Sequence, residues 1–203
     1  MRIFNSEDLD ETLSNFEFNN FYDITEFNNI EFNNCLFKDL IANNVHFTNC
    51  YFFDCEFTNS DFSNSTFINS SFVRTKIKDS KLIGCNFDSS SFKKVEILSS
   101  DNTYNNFGLA TLKEVKFIND KMLKIGFDET KLNEVLFDNC NLEGAEIRKT
   151  NMQLIDLSTC SINNIMIDEY SLNGLTVNEF QALSLSKLLG IIIKRWKNEI
   201  IAS

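Results

Sequence analysis

Six cysteines and one histidine are the residues of this 203-residue chain best suited to bind a metal or to form disulfides. The cysteines are Cys35, Cys50, Cys55, Cys85, Cys140 and Cys160. All six stand at multiples of five, in a column of small residues, and not in the close groups typical of zinc sites. The histidine, His46, precedes Phe47 and is expected to point outward. We therefore predict reduced cysteines in the core and expect no metal or cofactor.

Residue types that support catalysis are present, but their arrangement is not that of an active site. The serines fall in structural positions without an accompanying histidine, and paired carboxylates are expected only as surface charges on a regular structure. The sequence also lacks a glycine-rich phosphate-binding loop. The chain is therefore predicted not to be an enzyme.

A period of five residues positions all of these side chains. Every fifth residue from Phe27 to Leu172 is large and apolar, with two exceptions among thirty positions, Ala42 and Asn102. Neither an α-helix, with a period of about 3.6, nor a half-buried strand, with a period of about 2, explains this column. A second column, two residues earlier, holds mostly small or β-branched residues, which suits a narrow core. The chain is predicted to be an all-β solenoid.

Steps of twenty residues divide the apolar column into four stacks, as a coil with four five-residue sides predicts. One stack is almost pure phenylalanine and reads Phe27, Phe47, Phe67, Phe87, Phe107, Phe127, Ile147 and Ile167. Such a coil also places Cys35 beside Cys55, and Cys140 beside Cys160, about 4.8 Å apart on neighbouring coils. A disulfide at either pair is the less favoured alternative to reduced thiols.

The fourth stack contains both exceptions to the apolar column. Because Phe107 returns in phase, the polar stretch Ser99 to Asn106 is predicted to be a strained side of a coil, with a projecting loop as the alternative. Asp120 lies on the same side one coil later, so Asn102 and Asp120 are expected to be buried and to share hydrogen bonds or water. The alternative is a local bulge that exposes both.

Asparagine is frequent two residues after a core position. The asparagines are Asn29, Asn34, Asn44, Asn49, Asn59, Asn64 and Asn69. Asparagine tolerates the positive φ that corners require. Proline is absent, which suits a backbone whose amides pair with the coils above and below. We therefore expect these asparagines at the corners.

Both ends of a solenoid need caps, because open strand edges invite further pairing. Residues 1–21 are expected to be an irregular, acidic N-terminal cap that covers the first coil. Its phenylalanines, out of phase with the column, are Phe4, Phe16, Phe18 and Phe21. The repeat is assigned to residues 22–177, and the C-terminal cap and dimerisation segment to residues 178–203.

The C-terminal segment has a pattern of its own. It predicts a helix with Asn178 as N-cap, Gln181 completing a capping box and Gly190 at the C-terminal end, followed by a strand at Ile191–Ile193. Its apolar surface exceeds what one coil end needs, so a homodimer is expected, with a simple cap on a monomer as the alternative. The expected dimer-interface residues are Phe180, Leu183, Leu185, Leu188, Leu189, Ile191, Ile193 and Trp196.

The repeat resembles a known family. From Cys55 to Phe67 the sequence reads CEFTNSDFSNSTF, in which a central Phe follows a small residue by two positions. This pattern, over about residues 22 to 177, resembles the pentapeptide-repeat family. The resemblance implies a right-handed quadrilateral β-helix, here of about eight coils, with a short C-terminal helix and strand. The repeat alone says little about function.

The segment from Glu179 to Ile193, EFQALSLSKLLGIII, resembles the C-terminal segment of the quinolone-resistance pentapeptide-repeat proteins, the Qnr class. The residues that carry this resemblance are Phe180, Gln181, Ala182, Leu188, Leu189, Gly190 and Ile191. It implies a tail-to-tail homodimer that engages DNA gyrase or topoisomerase IV, partly by DNA mimicry, and protects it from fluoroquinolones. The chain departs from that class because it has no obvious projecting loop and continues as a basic segment, residues 194–203. A scaffold that binds another cellular protein is the alternative function.

The net charge of −10 favours repulsion from nucleic acid and attraction to a basic partner surface. Residues 1–72 carry net −10, residues 73–127 net +4, residues 128–177 net −6 and the tail net +2. The candidate partner-binding acidic surface is Glu26, Glu31, Asp39, Asp54, Glu56, Asp61, Glu134, Asp138, Glu143, Glu146 and Asp156. The candidate basic patch, for which a solvated face is the alternative, is Arg74, Lys93, Lys94 and Lys113.

Binding to nucleic acid and to membranes is not expected. The sequence has no run of eighteen apolar residues and no basic start followed by an apolar signal region. The expected location is therefore the cytoplasm.

Overall fold

The computed structural model describes residues 1–21 and 23–194, which form a right-handed, four-sided parallel β-solenoid of about eight turns. In chain order the strands are β1 (Arg2–Ile3), β2 (Thr12–Ser14), β3 (Phe16–Phe18), β4 (Glu26–Asn28), β5 (Glu31–Asn33), β6 (Leu36–Lys38), β7 (His46–Thr48), β8 (Tyr51–Phe53), β9 (Glu56–Thr58), β10 (Thr66–Ile68), β11 (Ser71–Val73), β12 (Lys76–Lys78), β13 (Ser91–Leu98), β14 (Thr111–Ile118), β15 (Gly126–Asp128), β16 (Lys131–Asn133), β17 (Leu136–Asp138), β18 (Glu146–Arg148) and β19 (Met166–Ile167). The predicted all-β solenoid is confirmed.

We name the four faces of the solenoid by their core columns, which begin at Phe27 (face 1), Phe32 (face 2), Phe37 (face 3) and Ala42 (face 4). Strands β13 and β14 continue through the corner between faces 2 and 3, so these two faces form one 13-stranded sheet. Face 1 contains two three-stranded sheets, and single bridges link successive coils on face 4. From β4 onward each strand pairs in parallel with a segment twenty residues before or after it, as the four stacks predict.

Stacked aromatic rings fill the N-terminal half of the core. Phe32, Phe52 and Phe72 stand in register on successive coils, with ring centroids 4.9 and 4.7 Å apart and nearly parallel planes. The repeat of parallel strands, about 4.8 Å, equals this ring spacing, so identical residues stack without strain. The period of twenty therefore builds the core as well as the sheet.

The column of small residues also satisfies the backbone. The Ser60 hydroxyl accepts a hydrogen bond from Leu40 N (3.0 Å) and donates one to Thr58 O (2.9 Å). Cysteine thiols take the same place, since Cys55 Sγ donates to Phe32 O at 3.3 Å. At the corners that carry serine, threonine or cysteine in this column, a small side chain that can donate and accept thus satisfies the buried backbone.

The corners have positive φ, as predicted from the asparagines. All seven asparagines noted above have φ between 49° and 60°. The same position holds residues that tolerate this region less well, among them Arg74 (51°), Lys94 (57°), Leu109 (56°) and Leu154 (69°). Residues 98–106 follow this pattern too, with Tyr104 at φ 64°, so they form a regular side of the coil and not a loop.

The N-terminal segment is more regular than expected. After a short 3₁₀ helix (Ser6–Asp8), β2 and β3 pair in parallel with β5 and β6. Leu13 opposes Phe32 and Phe18 opposes Phe37, an offset of nineteen residues where the rest of the solenoid has twenty. The expectation of an irregular segment was wrong because one residue fewer in this coil shifts the phase without breaking the pairing. Its four phenylalanines are buried over the first complete coil.

The C-terminal segment contains α1 (Glu169–Leu172), α2 (Glu179–Ser186) and a 3₁₀ helix (Lys187–Leu189) that ends at Gly190 with φ 72°. Asn178 caps α2 and forms the predicted capping box with Gln181. The predicted strand at residues 191–193 does not form, because a strand needs a hydrogen-bonding partner and this part of one chain offers none. No helix in residues 1–21 and 23–194 is long and apolar enough to span a membrane.

Candidate functional site

The C-terminal helix is fastened to the last coil by two amide side chains. Gln181 Nε2 donates to Leu157 O (2.9 Å) and Cys160 O (2.7 Å), while its Oε1 accepts from Asn178 N at 2.8 Å. The Asn178 side-chain amide in turn donates to Ser158 O at 2.8 Å. These bonds tie α2 to backbone carbonyls at the end of the solenoid, and they fix which side of α2 faces away from it.

The side of this segment that faces away from the coils is apolar. The expected interface residues on it are largely exposed: Phe180 72%, Leu183 49%, Leu188 53%, Leu189 57%, Ile191 52% and Ile193 45%. Ile192, at 90%, extends the same surface. Leu185 differs, because it is buried against this chain's own last coils and is not available to a partner. Trp196 lies outside the described residues. We call the six exposed residues and Ile192 the C-terminal apolar surface.

The expected acidic residues reach the surface on all four faces of the solenoid. Glu26 and Glu146 lie on face 1, Glu31, Asp54 and Glu134 on face 2, Asp39, Glu56, Asp138 and Asp156 on face 3, and Asp61 and Glu143 on face 4. The structure therefore does not bring them into one patch. They encircle the rod in two zones, one near each end, as their sequence positions require.

Five of the ten bases in residues 73–127 pair with carboxylates one coil away. The shortest contacts of this kind along the rod are Arg74–Asp54 (2.6 Å), Lys149–Glu129 (2.7 Å), Lys116–Glu96 (2.8 Å) and Lys121–Asp101 (2.9 Å). These pairs lower the pKa of the Asp54 and Glu96 carboxyls below their usual values, chiefly through the hydrogen bond from the neighbouring base. Pairs twenty residues apart thus form charge ladders along the faces.

Three of the eleven expected acidic residues are engaged in ion pairs in the described structure. Asp54 is paired with Arg74, Asp61 with Lys81 at 3.8 Å, and Glu146 with Arg148 at 2.6 Å. The other eight keep their charge available to a partner.

The candidate basic patch is divided by these ladders. Arg74 is held by Asp54, and Lys94 approaches Glu114 at 3.8 Å. Lys93 and Lys113 stand in direct register on β13 and β14, exposed on face 2, and form no ion pair with the described part of the chain. Only these two of the four patch residues present an uncompensated charge.

Asn102 and Asp120, which we call the polar break in the apolar core, are buried within regular coils. Asn102 is 0% and Asp120 2% exposed, so the alternative of an exposing bulge is excluded. Asp120 Oδ1 accepts from Ser100 N at 2.6 Å, and Asn102 Oδ1 accepts from Asn105 Nδ2 at 3.2 Å. Asn102 and Asp120 form no hydrogen bond with each other, contrary to expectation, and each bonds through its Oδ1 to a different group. Asn105, which accepts from Cys85 N at 2.8 Å, was missed, although its place in the small-residue column was the available signal.

Burial raises the pKa of the Asp120 carboxyl from 3.8 to about 7. Its second oxygen, Oδ2, and the Asn102 amide nitrogen are buried without a hydrogen-bond partner in the described structure. The charged form of Asp120 is therefore costly in this position, and the neutral form is favoured over much of the acidic range.

All six cysteines are free and buried. Burial raises the pKa of Cys50 to about 11 and of Cys85 to about 12, while interaction with Cys140 lowers the pKa of Cys160 to about 7. His46 is exposed, with Nδ1 3.1 Å from Thr66 Oγ1. Within residues 1–21 and 23–194 no three or more His, Cys, Asp or Glu side chains are grouped as a metal site requires.

Comparison with solved structures gives several pentapeptide-repeat proteins. Trypsin-treated QnrB1, a plasmid-mediated fluoroquinolone resistance protein, is 20% identical, covers 90% of this chain and 97% of its own, and superposes with a TM-score of 0.39. HetL, a pentapeptide repeat protein involved in heterocyst differentiation regulation from the cyanobacterium Nostoc sp. strain PCC 7120, is 12% identical, with coverage of 77% and 90% and a TM-score of 0.25. No curated protein sequence matches the chain.

Two family models match the repeat. The pentapeptide repeat region model covers residues 25–101, and the model of eight pentapeptide repeats covers residues 127–164. Together they span more than half of the chain, and both fall within the coils described above. The chain belongs to the pentapeptide-repeat family.

Proposed function

We propose that this chain is a non-catalytic binding protein that engages DNA gyrase or topoisomerase IV, partly by DNA mimicry, and protects the enzyme from fluoroquinolones. The observation that carries the proposal is the C-terminal segment, whose sequence from Phe180 to Ile191 resembles that of the Qnr class. In this segment the Gln181 side chain bonds to the last coil, whereas Phe180, Leu188 and Leu189 remain exposed. The proposed partner enzyme and protection rest on this resemblance.

The C-terminal apolar surface supports a homodimer. Contiguous exposed apolar residues of this kind are typical of an interface, and a two-fold axis would bury the same surface on both copies. Residues 191–193 form no strand in the described chain, and a second copy would supply the hydrogen-bonding partner that a strand requires. The dimer would then be a rod twice as long, with its acidic N-terminal coils at the two outer ends.

Charge density supports mimicry of DNA at those outer ends. Between Asp23 and Phe72 the chain has seven carboxylates and one lysine, net −6, over two and a half coils. At about 4.8 Å a coil, this is one negative charge per ~2 Å of rod, against one per ~1.7 Å of duplex DNA. The ion pairs of Asp54 and Asp61 reduce the density to one charge per ~3 Å. Carboxylates on all four faces suit a mimic of a cylinder whose phosphates also encircle its axis.

The test is a supercoiling assay with purified gyrase, relaxed plasmid and an inhibitory concentration of a fluoroquinolone. The chain is expected to restore supercoiling in a dose-dependent manner. Leu188→Glu/Leu189→Glu is expected to abolish the rescue, whereas Leu109→Glu, at an exposed corner in the middle of the rod, serves as the matched control. Absence of rescue by the unmodified chain both here and in a parallel decatenation assay with topoisomerase IV would refute the proposal.

A scaffold that binds a different cellular protein is the second candidate. The observation that favours it is the neutralisation of Asp54, Asp61 and Glu146, which lowers the charge available for mimicry. A pulldown in which the rod retains a defined protein other than a topoisomerase, and in which added gyrase does not compete, would support this second function over the first.

A further inference from the structure

Face 2 differs from the other three faces in its outward side chains. Face 2 has two columns of outward side chains between the coil of β8 and that of β16. The first column reads Tyr51, Ser71, Ser91, Thr111 and Lys131. The second reads Phe53, Val73, Lys93, Lys113 and Asn133. Neither column holds a carboxylate over these five coils. The other faces hold carboxylates over the same coils: Asp88 lies on face 1 without a neighbouring base, while Glu96 on face 3 and Asp101 on face 4 alternate with lysines. Face 2 is therefore a basic and aromatic strip on an acidic rod.

Two lysines of this strip oppose each other at a cost to stability. Lys93 and Lys113 are in direct register on adjacent strands, which places like charges on neighbouring coils about 4.8 Å apart. Several bases elsewhere in the rod face a carboxylate at such a position, as in Lys116–Glu96 and Lys121–Asp101. Two unpaired like charges in direct register are locally unfavourable, and such local conflicts are typical of binding surfaces.

Aromatic side chains adjoin the lysines on the same strip. Tyr51, 44% exposed, and the half-buried Phe53 have parallel rings 6.3 Å apart on β8. Val73 links Phe53 to Lys93, one coil on either side. The distance from Phe53 to Lys113 is three coils, about 14 Å, which an extended peptide of about five residues covers.

We propose that face 2 is a docking surface for a short acidic segment of a partner protein, with an apolar residue on Tyr51 and Phe53 and carboxylates on Lys93, Lys113 and Lys131. This inference is independent of topoisomerase binding. Charge complementarity identifies the acidic partner, because Lys93 and Lys113 form no ion pair with the described part of the chain and the two outward columns of the strip hold no carboxylate. A long nucleic acid fits less well, since Glu114 and Glu134 line the adjacent corner and the whole chain carries −10.

The test is fluorescence anisotropy with a labelled peptide of about ten extended residues, one Phe followed by alternating Glu and Ser, at about 100 mM salt. The unmodified chain is expected to bind it, and Lys93→Glu/Lys113→Glu to weaken binding at least about tenfold. The matched control is Lys81→Glu/Lys121→Glu, which makes the same change of net charge on face 4 and is expected to alter binding less than about threefold.

Thermal unfolding followed by circular dichroism would show whether charge reversal impairs folding. In that case the milder variant Lys93→Gln/Lys113→Gln replaces it and is expected to give an intermediate loss of peptide affinity. Equal weakening by the face 2 and face 4 variants, or no binding of the peptide at all, would overturn the proposal. Tighter binding of a single-stranded oligonucleotide that is lost in Lys93→Glu/Lys113→Glu would assign face 2 to nucleic acid instead. A fall in mass of that variant in light scattering would assign face 2 to a second copy of the chain.

Discussion

The coils and the C-terminal segment of this protein satisfy their polar and apolar groups in opposite ways. Within the coils, a residue's partner is almost always the residue twenty positions away: rings stack, amides form ladders and bases meet acids. The C-terminal segment satisfies only its anchoring side, through Gln181 and Leu185, and leaves seven apolar residues exposed. The difference is that the coils pair their own groups with one another, whereas the C-terminal apolar surface stays exposed, which is why we propose that it binds a second copy.

The largest expected effect is on the coils alone. Phe52→Ala removes a ring stacked between Phe32 and Phe72 and should lower the free energy of unfolding by about 3–5 kcal/mol, because the neighbouring coils cannot collapse into the cavity. Tyr51→Ala on the same strand is the control, since its side chain is 44% exposed, and should cost about 1 kcal/mol or less. Chemical denaturation measures both. Similar losses for the two variants would contradict the assignment of stability to the inward column.

The polar break should make part of the coil's stability depend on pH. In the folded chain Asp120 has a pKa of about 7, above its ordinary 3.8, so between about pH 4 and pH 7 the folded state holds a proton that the unfolded state releases. Stability from this group is therefore present at about pH 4 and declines as the pH rises to about 7, by about 2–4 kcal/mol.

Asp120→Asn should remove this slope while keeping an oxygen to accept from Ser100 N. The free energy of unfolding, measured from pH 4 to pH 8 on both proteins, isolates the contribution of Asp120 from that of the surface carboxyls. Parallel pH curves for the two proteins would show that Asp120 is not buried as described.

In the C-terminal segment the expected effect is on association and not on folding. Leu188→Glu/Leu189→Glu places charges in the C-terminal apolar surface and should weaken a homodimer at least about 100-fold, or about 2.7 kcal/mol. The thermal midpoint of the coils should change little, because both leucines are more than half exposed. Light scattering measures the mass. A monomeric mass for the unmodified chain at micromolar concentration would remove the dimer from the account.

The smallest expected effect concerns the surface ladders. A double-mutant cycle on Glu96 and Lys116, 2.8 Å apart and both exposed, should give a coupling of about 0.3–0.5 kcal/mol that declines with salt. A coupling above about 2 kcal/mol would mean that the ladders, and not the stacked core, hold successive coils together.

Much of the fold follows from the sequence because the repeat makes local and distant contacts identical. Spacing and residue type alone determine three features: the apolar column from Phe27 to Leu172, the asparagine corners, and the capping box of Asn178 and Gln181. The basic patch was resolved less well, because neutralisation of Arg74 depends on Asp54 one coil away. Steps of twenty at the outward positions would have revealed that pair. The strand predicted at residues 191–193 did not form, because apolar composition alone does not specify a hydrogen-bonding partner for it.

Competition binding tests the proposed mimicry most directly. Purified gyrase would be bound to the immobilised chain and challenged with increasing concentrations of linear duplex DNA. The account predicts that the enzyme binds, that the duplex displaces it, and that Glu26→Gln/Glu31→Gln/Asp39→Asn, which removes charges from the acidic N-terminal coils, weakens binding. Gyrase that binds equally with and without saturating DNA, or that does not bind at all, would contradict it.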